Sequence, residues 1–316
     1  MRKFRAYAAD SNDDMSLAAV PSRHRRAVLM MIAGAACWST GGLLVRSLSI
    51  TNAWEIVFWR SLFMSAFVVL VLTVLHGRAM PRQVRAVGVP GLVAGALLAG
   101  TFFFFIGSIT RTTVANTFVL MSVSPFLAAI AARLVLHEPV PARTWLAILI
   151  ALAGILVMFG GTADAGQLTG NLLALGVSVC FAAQLTVLRK FHATVDMLPM
   201  VMIAGLWSLV PAFAMMGPVT ASAQDLGILA LMGSVQLGAG CLLATAASKT
   251  LTATELGLLA LIEPILGPIW VWALLGEHPG APALIGGALV LSAVIANQAL
   301  AARGRTEEAT QPLPGP

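Results

Sequence analysis

Ten apolar runs follow one another along the chain, separated by polar or proline- and glycine-rich breaks. They cover approximately residues 27–47, 53–75, 86–108, 113–135, 143–160, 169–188, 197–216, 226–247, 253–274 and 281–302. Each lies near the roughly 20 residues that cross a bilayer's hydrocarbon at about 1.5 Å per helical residue, the fifth being the shortest. The pattern predicts an all-α membrane protein with ten transmembrane helices. The polar residues before and after the runs, 1–25 and 303–316, are expected to be tails.

Two of the runs carry the same punctuation. Asn116, Pro125 and Glu138 in the fourth are spaced as Glu255, Pro264 and Glu277 in the ninth, 139 residues further on. Both prolines fall near mid-run. A proline there removes one backbone hydrogen bond and clashes with the carbonyl one turn back. In lipid that break is tolerated only where neighbours or a wet cavity satisfy the freed group. A second echo links Cys37-Trp38 and Arg46 in the first run to Cys180-Phe181 and Arg189 in the sixth, offset by 143 residues. The chain therefore divides into two repeats of five helices, 26–162 and 163–302. Five crossings is an odd number, so the second repeat enters the membrane from the opposite side and the repeat is inverted. Interrupted helices at matching positions of two halves point to a transport site between them.

Charge settles the orientation to expect. Of the 19 Lys and Arg, 16 fall in the tails or in breaks on the side of the N-terminus, leaving Arg46, Arg60 and Arg111. Cytoplasmic loops carry such an excess. Both termini are thus expected in the cytoplasm, in a bacterial inner membrane, and the net charge of +6 calls for no nucleic acid. With 59% hydrophobic and 10% charged residues, against about 25% charged in a soluble domain, the chain is built for lipid. The three cysteines, Cys37, Cys180 and Cys241, lie in apolar runs without metal-ligand spacing and read as packing residues. Neither a metal nor a cofactor is expected.

The two motif-bearing stretches, Gly107 to Glu138 and Ala246 to Glu277, resemble the best-marked segments of the EamA-type members of the drug/metabolite transporter superfamily. Trp38 in a small-residue helix and Phe58-Trp59-Arg60 in the second run are similar as well. The resemblance implies passage of amino acids and related small metabolites through a central cavity, lined by the first, third, fourth, sixth, eighth and ninth helices. Glu263, directly before Pro264, stands where the first repeat has Ser124, and is no part of the family pattern.

Candidate substrate-binding residues follow from polarity at depth. Glu263 is an acid near mid-membrane, a functional site by default, able to take an amine or a proton. Its bland alternative is a neutral carboxyl bonded within the bundle. Asn116 and Glu255 sit in first turns, where capping competes with substrate contact. Trp38, Ser39 and Thr40 beside Gly41-Gly42 suit a cavity wall, or helix packing. Gln184 and Gln236 are either lining or interhelical glue. Glu55 and Arg60 read as a structural pair or an outer gate, Arg60 being able to snorkel outward. Pro125, Pro264, Glu138 and Glu277 read as structural or gating, the two glutamates marking opposite mouths and capping the next helix.

The expected function is secondary transport: export of small metabolites such as amino acids or analogues by alternating access. The expected partners are the substrate, protons and the bilayer, with a homodimer left open. An intramembrane enzyme acting on a lipid-linked substrate is the alternative, and a non-transporting sensor another. No nucleophile elbow, Walker loop or HExxH is present, Pro141 standing where the second histidine of that motif would be.

Overall fold

The computed structural model describes residues 23–137, 140–160, 165–191, 198–251 and 253–310. They are helical throughout apart from short connections. We number the helices α1 (Arg23–Arg46), α2 (Ala53–His76), α3 (Gly88–Ile109), α4 (Val114–Val135), α5 (Ala142–Gly160), α6 (Ala165–Phe191), α7 (Leu198–Met215), α8 (Ala223–Ala247), α9 (two pieces, Ala253–Ala260 and Ile262–Leu275) and α10 (Ala281–Thr310). Nine of the ten contain a continuous apolar stretch long enough to cross a membrane, and α9 reaches that length only by adding its pieces. The chain is a multi-pass membrane protein.

Helix starts follow local chemistry. Asn52 accepts from Trp54 N at the start of α2, and Thr113 from Asn116 N at the start of α4. Ser222 and Asp225 form a reciprocal capping box on α8. These three caps lie on one face of the bundle, which carries the loops after odd-numbered helices. We call it the odd face, and the opposite one the even face.

The packing obeys the inverted repeat. Under that symmetry α2 exchanges with α7, α4 with α9 and α5 with α10, and each of these pairs packs together. The contacts α3·α7 and α4·α6 have counterparts in α8·α2 and α9·α1. Close approach through glycine repeats too. A Cβ on Gly100 of α3 would meet Cys180 of α6 at 2.9 Å, and one on Gly240 of α8 would meet Trp38 of α1 at 2.5 Å. Small residues let backbones approach where lipid supplies no hydrophobic drive. Helices α5 and α10 pack largely on each other and turn Leu146, Leu149, Leu156, Leu284 and Ile285 outward, as lipid-facing helices do.

Candidate functional site

Both expected helix breaks are present. Helix α4 kinks at Ser122-Val123 and restarts at Ser124, with Pro125 as the next residue. Pro125 cannot donate to the carbonyl of Met121. Hydroxyls supply what is missing, since Ser124 Oγ donates to that carbonyl and Ser178 Oγ of α6 lies 2.9 and 3.1 Å from the carbonyls of Leu120 and Met121. Helix α9 turns at Leu261 and restarts at Ile262, which places Glu263 in the first turn of the second piece and Pro264 beside it. The two broken helices touch, the second piece of α9 packing on the first half of α4.

A third interruption lies in α8, where Met232–Ala239 widens into a π-helix that contains Gln236. π segments often accompany functional sites. Gln236 Nε2 donates to the Trp38 carbonyl at 3.3 Å. Arg60 of α2 lies against this segment, and a Cβ on Gly233 would come within 2.4 Å of the Arg60 carbonyl. The Cys241 sulfur is within electrostatic reach of both Arg60 and Glu263 and interacts with the Trp38 indole N–H. Several buried polar atoms here have no hydrogen-bond partner among the described residues: Trp38 Nε1, Arg60 Nε and Gln236 Oε1. Nearly all buried polar atoms in folded proteins are paired, so these three stand out as exceptions.

The odd face is tied shut. Arg46 at the end of α1 donates to Glu277 through Nε at 2.9 Å and to the Thr112 carbonyl at 2.9 Å. The second oxygen of Glu277 accepts from Val114 N at 2.9 Å, so a residue of the second repeat caps α4 of the first. Gly276, at φ +69°, ends α9 in a left-handed conformation directly before Glu277. Beside this lock, Glu55 accepts from Thr220 N, Thr220 Oγ1 and Ala221 N at 2.8, 2.6 and 2.9 Å. Asp225 accepts from Ser49 N and Oγ at 2.8 and 2.6 Å. Loops α1–α2 and α7–α8 thus hold each other through two buried carboxylates, one from each repeat.

A protein-family model for EamA-like transporters matches residues 25–160 and 168–297. The chain belongs to the EamA-like transporter family. Among curated proteins it is similar to the pseudopaline exporter CntI of two Pseudomonas aeruginosa strains, 27% identical over 278 residues, 85% of this chain and 94% of the relative. A solved protein crystal structure aligns at TM-score 0.66 and 17% identity, over 88% of this chain and 97% of the other, which shows a shared fold. The family and the named relative point to a transporter.

Within this family member the expected residues divide. Trp38 and Gln236 meet at the centre, and Glu263 lies near them through Cys241. Ser39 is buried and turned to α9, accepting from Trp270 Nε1 at 3.0 Å. Thr40 donates to its own helix, at the Cys37 carbonyl. Gln184 of α6 contacts only the Met200 sulfur through its nitrogen, at 3.7 Å, and its oxygen is unpaired among the described residues. Asn116 belongs to a knot near the odd face, donating to Thr112 Oγ1 and Asn171 Oδ1 at 3.3 and 3.2 Å. Glu255 is near the even face, 3.3 Å from His24 Nε2. Glu138 lies outside the described residues.

Three expectations are corrected. Glu55 and Arg60 do not pair, because the Glu55 carboxylate is filled by Thr220 and Ala221. Arg60 does not snorkel either. It is 1% exposed, under two aromatic rings. Glu277 caps α4 of the other repeat rather than its successor. The α8 π segment, Asn171 and Trp270 carried no signal along the chain. Asp225 did, since Ser222 three residues before it spells a capping box. Among the described residues, no group of three His, Cys, Asp or Glu side chains gathers as metal ligands would.

Proposed function

We propose that this chain exports small metabolites, amino acids or their analogues, across a bacterial inner membrane by alternating access. The odd face is the periplasmic one, since 16 of 19 Lys and Arg belong to the other side. The observation that carries the reading is the Arg46–Glu277–Val114 lock, which joins the two repeats across the odd face at the ends of α1, α4 and α9. A contact between repeats at one mouth is what rocking two halves about a central site must break. The similarity to an exporter supports the direction of transport. Glu263, at the break of α9 and without a hydrogen bond among the described residues, is the group proposed to exchange protons with substrate. Counterflow tests the function. Purified protein in proteoliposomes preloaded with unlabelled amino acids should accumulate the labelled counterpart transiently, and empty liposomes should not. Equal uptake by both, across amino acids and their amine and amide analogues, would remove the reading.

A further inference from the structure

A guanidinium buried in a membrane bundle normally faces an acid, because a lone desolvated charge is costly. Arg60 has no such acid among the described residues. Its carbonyl bond to Phe102 is long, 3.4 Å from Nη2, and its other partners are the faces of Phe102 and Phe105, 5.2 and 5.9 Å from Cζ. Its Nε has no acceptor, although the atom is buried. Arg60 is placed beside the π segment of α8, where Gln236 leaves an unpaired oxygen, and Cys241 of α8 is within reach of both Arg60 and the unpaired Trp38 indole N–H. An unpaired indole N–H, a forked cation with an unpaired Nε and water-excluding rings form a receptor for a planar anion. The planar guanidinium matches a carboxylate in two parallel hydrogen bonds, which an ammonium cannot do.

We infer that Arg60 is the anchor for the carboxylate of a carboxylate-bearing substrate, the anion lying between α2, α3 and α8 at the centre of the bundle. Trp38 Nε1 supplies a further donor to the same group. The aromatic faces of Phe102 and Phe105 hold the guanidinium in place between transport events. The anion replaces the acid that the protein itself does not provide. This rests on the transporter reading above and adds the substrate's charge to it.

Paired probes that differ only in the carboxylate test it. The full-length protein in nanodiscs is titrated with L-leucine, L-lysine, L-glutamate and L-tryptophan and with the corresponding α-amides, following the thermal midpoint and tryptophan fluorescence. The wild-type chain should bind at least one acid ten-fold or more tightly than its amide. In Arg60→Gln that preference should fall to about one, through loss of the acid rather than the amide. Arg60→Lys, which keeps the charge without the fork, should restore part of it. If Arg60→Gln does not fold, the Arg60→Lys ratio decides, and a wild-type ratio in either folded variant overturns the inference. A wild-type chain that shows no acid preference overturns it too. Counterflow of uncharged or amine substrates by that chain would leave the transporter reading standing.

Discussion

Two acids in α9 and its exit loop show how placement separates roles. Glu277 is satisfied twice over, by Arg46 and by an amide at the start of α4. Glu263 lies 14 residues earlier and has no hydrogen bond among the described residues. Replacing Glu263 with Gln keeps the shape and removes the titration, so transport measured from pH 5 to 8 in proteoliposomes should lose its pH dependence while binding of uncharged probes persists. An unchanged pH profile would end the proton-exchange role. At the lock, Arg46→Gln should cost little stability, about 0–1 kcal/mol for a partly exposed pair. Its larger effect should be on conformation: a cysteine at Ala115, beside Glu277 at the closed mouth, should label faster with a small maleimide. Unchanged labelling would show that the pair does not hold the mouth. Glu263 and Glu277 are legible as candidates because acids are rare in apolar runs. Their difference is not, since it depends on Arg46, 231 positions away from Glu277.

At the level of elements, proline breaks are local and were readable. Pro125 and Pro264 each remove a specific hydrogen bond wherever the helix is packed. What fills the gap is not local: in α4 the hydroxyl arrives from Ser178 of another helix. The π segment of α8 is decided the same way. Met232–Ala239 has no proline, and its wide turn accompanies close packing on α2, where Gly233 meets the Arg60 backbone. Gly233→Ala should therefore overpack that contact and destabilise the protein by about 1–3 kcal/mol, read as a lower thermal midpoint in detergent. A neutral result would mean that α8 relaxes without strain. Helix α8 is also anchored at its start. Asp225→Ala removes the capping box and leaves Ser49 without its carboxylate, an expected loss of about 1–2 kcal/mol, checked in the same melts.

The whole molecule repeats one packing scheme twice in opposite senses, while its chemistry is uneven. Ser124 and Glu263 occupy matching positions, and α8 carries a π segment where its counterpart α3 is a regular helix. A scaffold with two-fold symmetry favours neither face, so the side on which charges and unpaired donors collect determines what is carried. The orientation has its own test. Thr51→Cys on the odd face should react with an impermeant maleimide in intact cells, and Arg143→Cys on the even face only after permeabilisation, both positions being exposed. The reverse pattern would invert the assignment of faces.

Ten crossings, the inverted repeat and the asymmetry of basic residues were determined by the sequence alone. Run length, odd repeat number and loop charge are properties of neighbouring residues, and lipid leaves the backbone few options. Tertiary structure alone decided which polar groups are satisfied. Arg60 illustrates the difference. Along the chain it reads with Glu55, five residues away, as a structural pair or an outer gate, and as a side chain long enough to reach water. In the fold Glu55 is taken by the α7–α8 loop, and Arg60 lies under Phe102 and Phe105. Hydrogen bonds are saturable and short-ranged, so a partner supplied from a distant segment excludes the one nearby. That competition is settled only when helices pack.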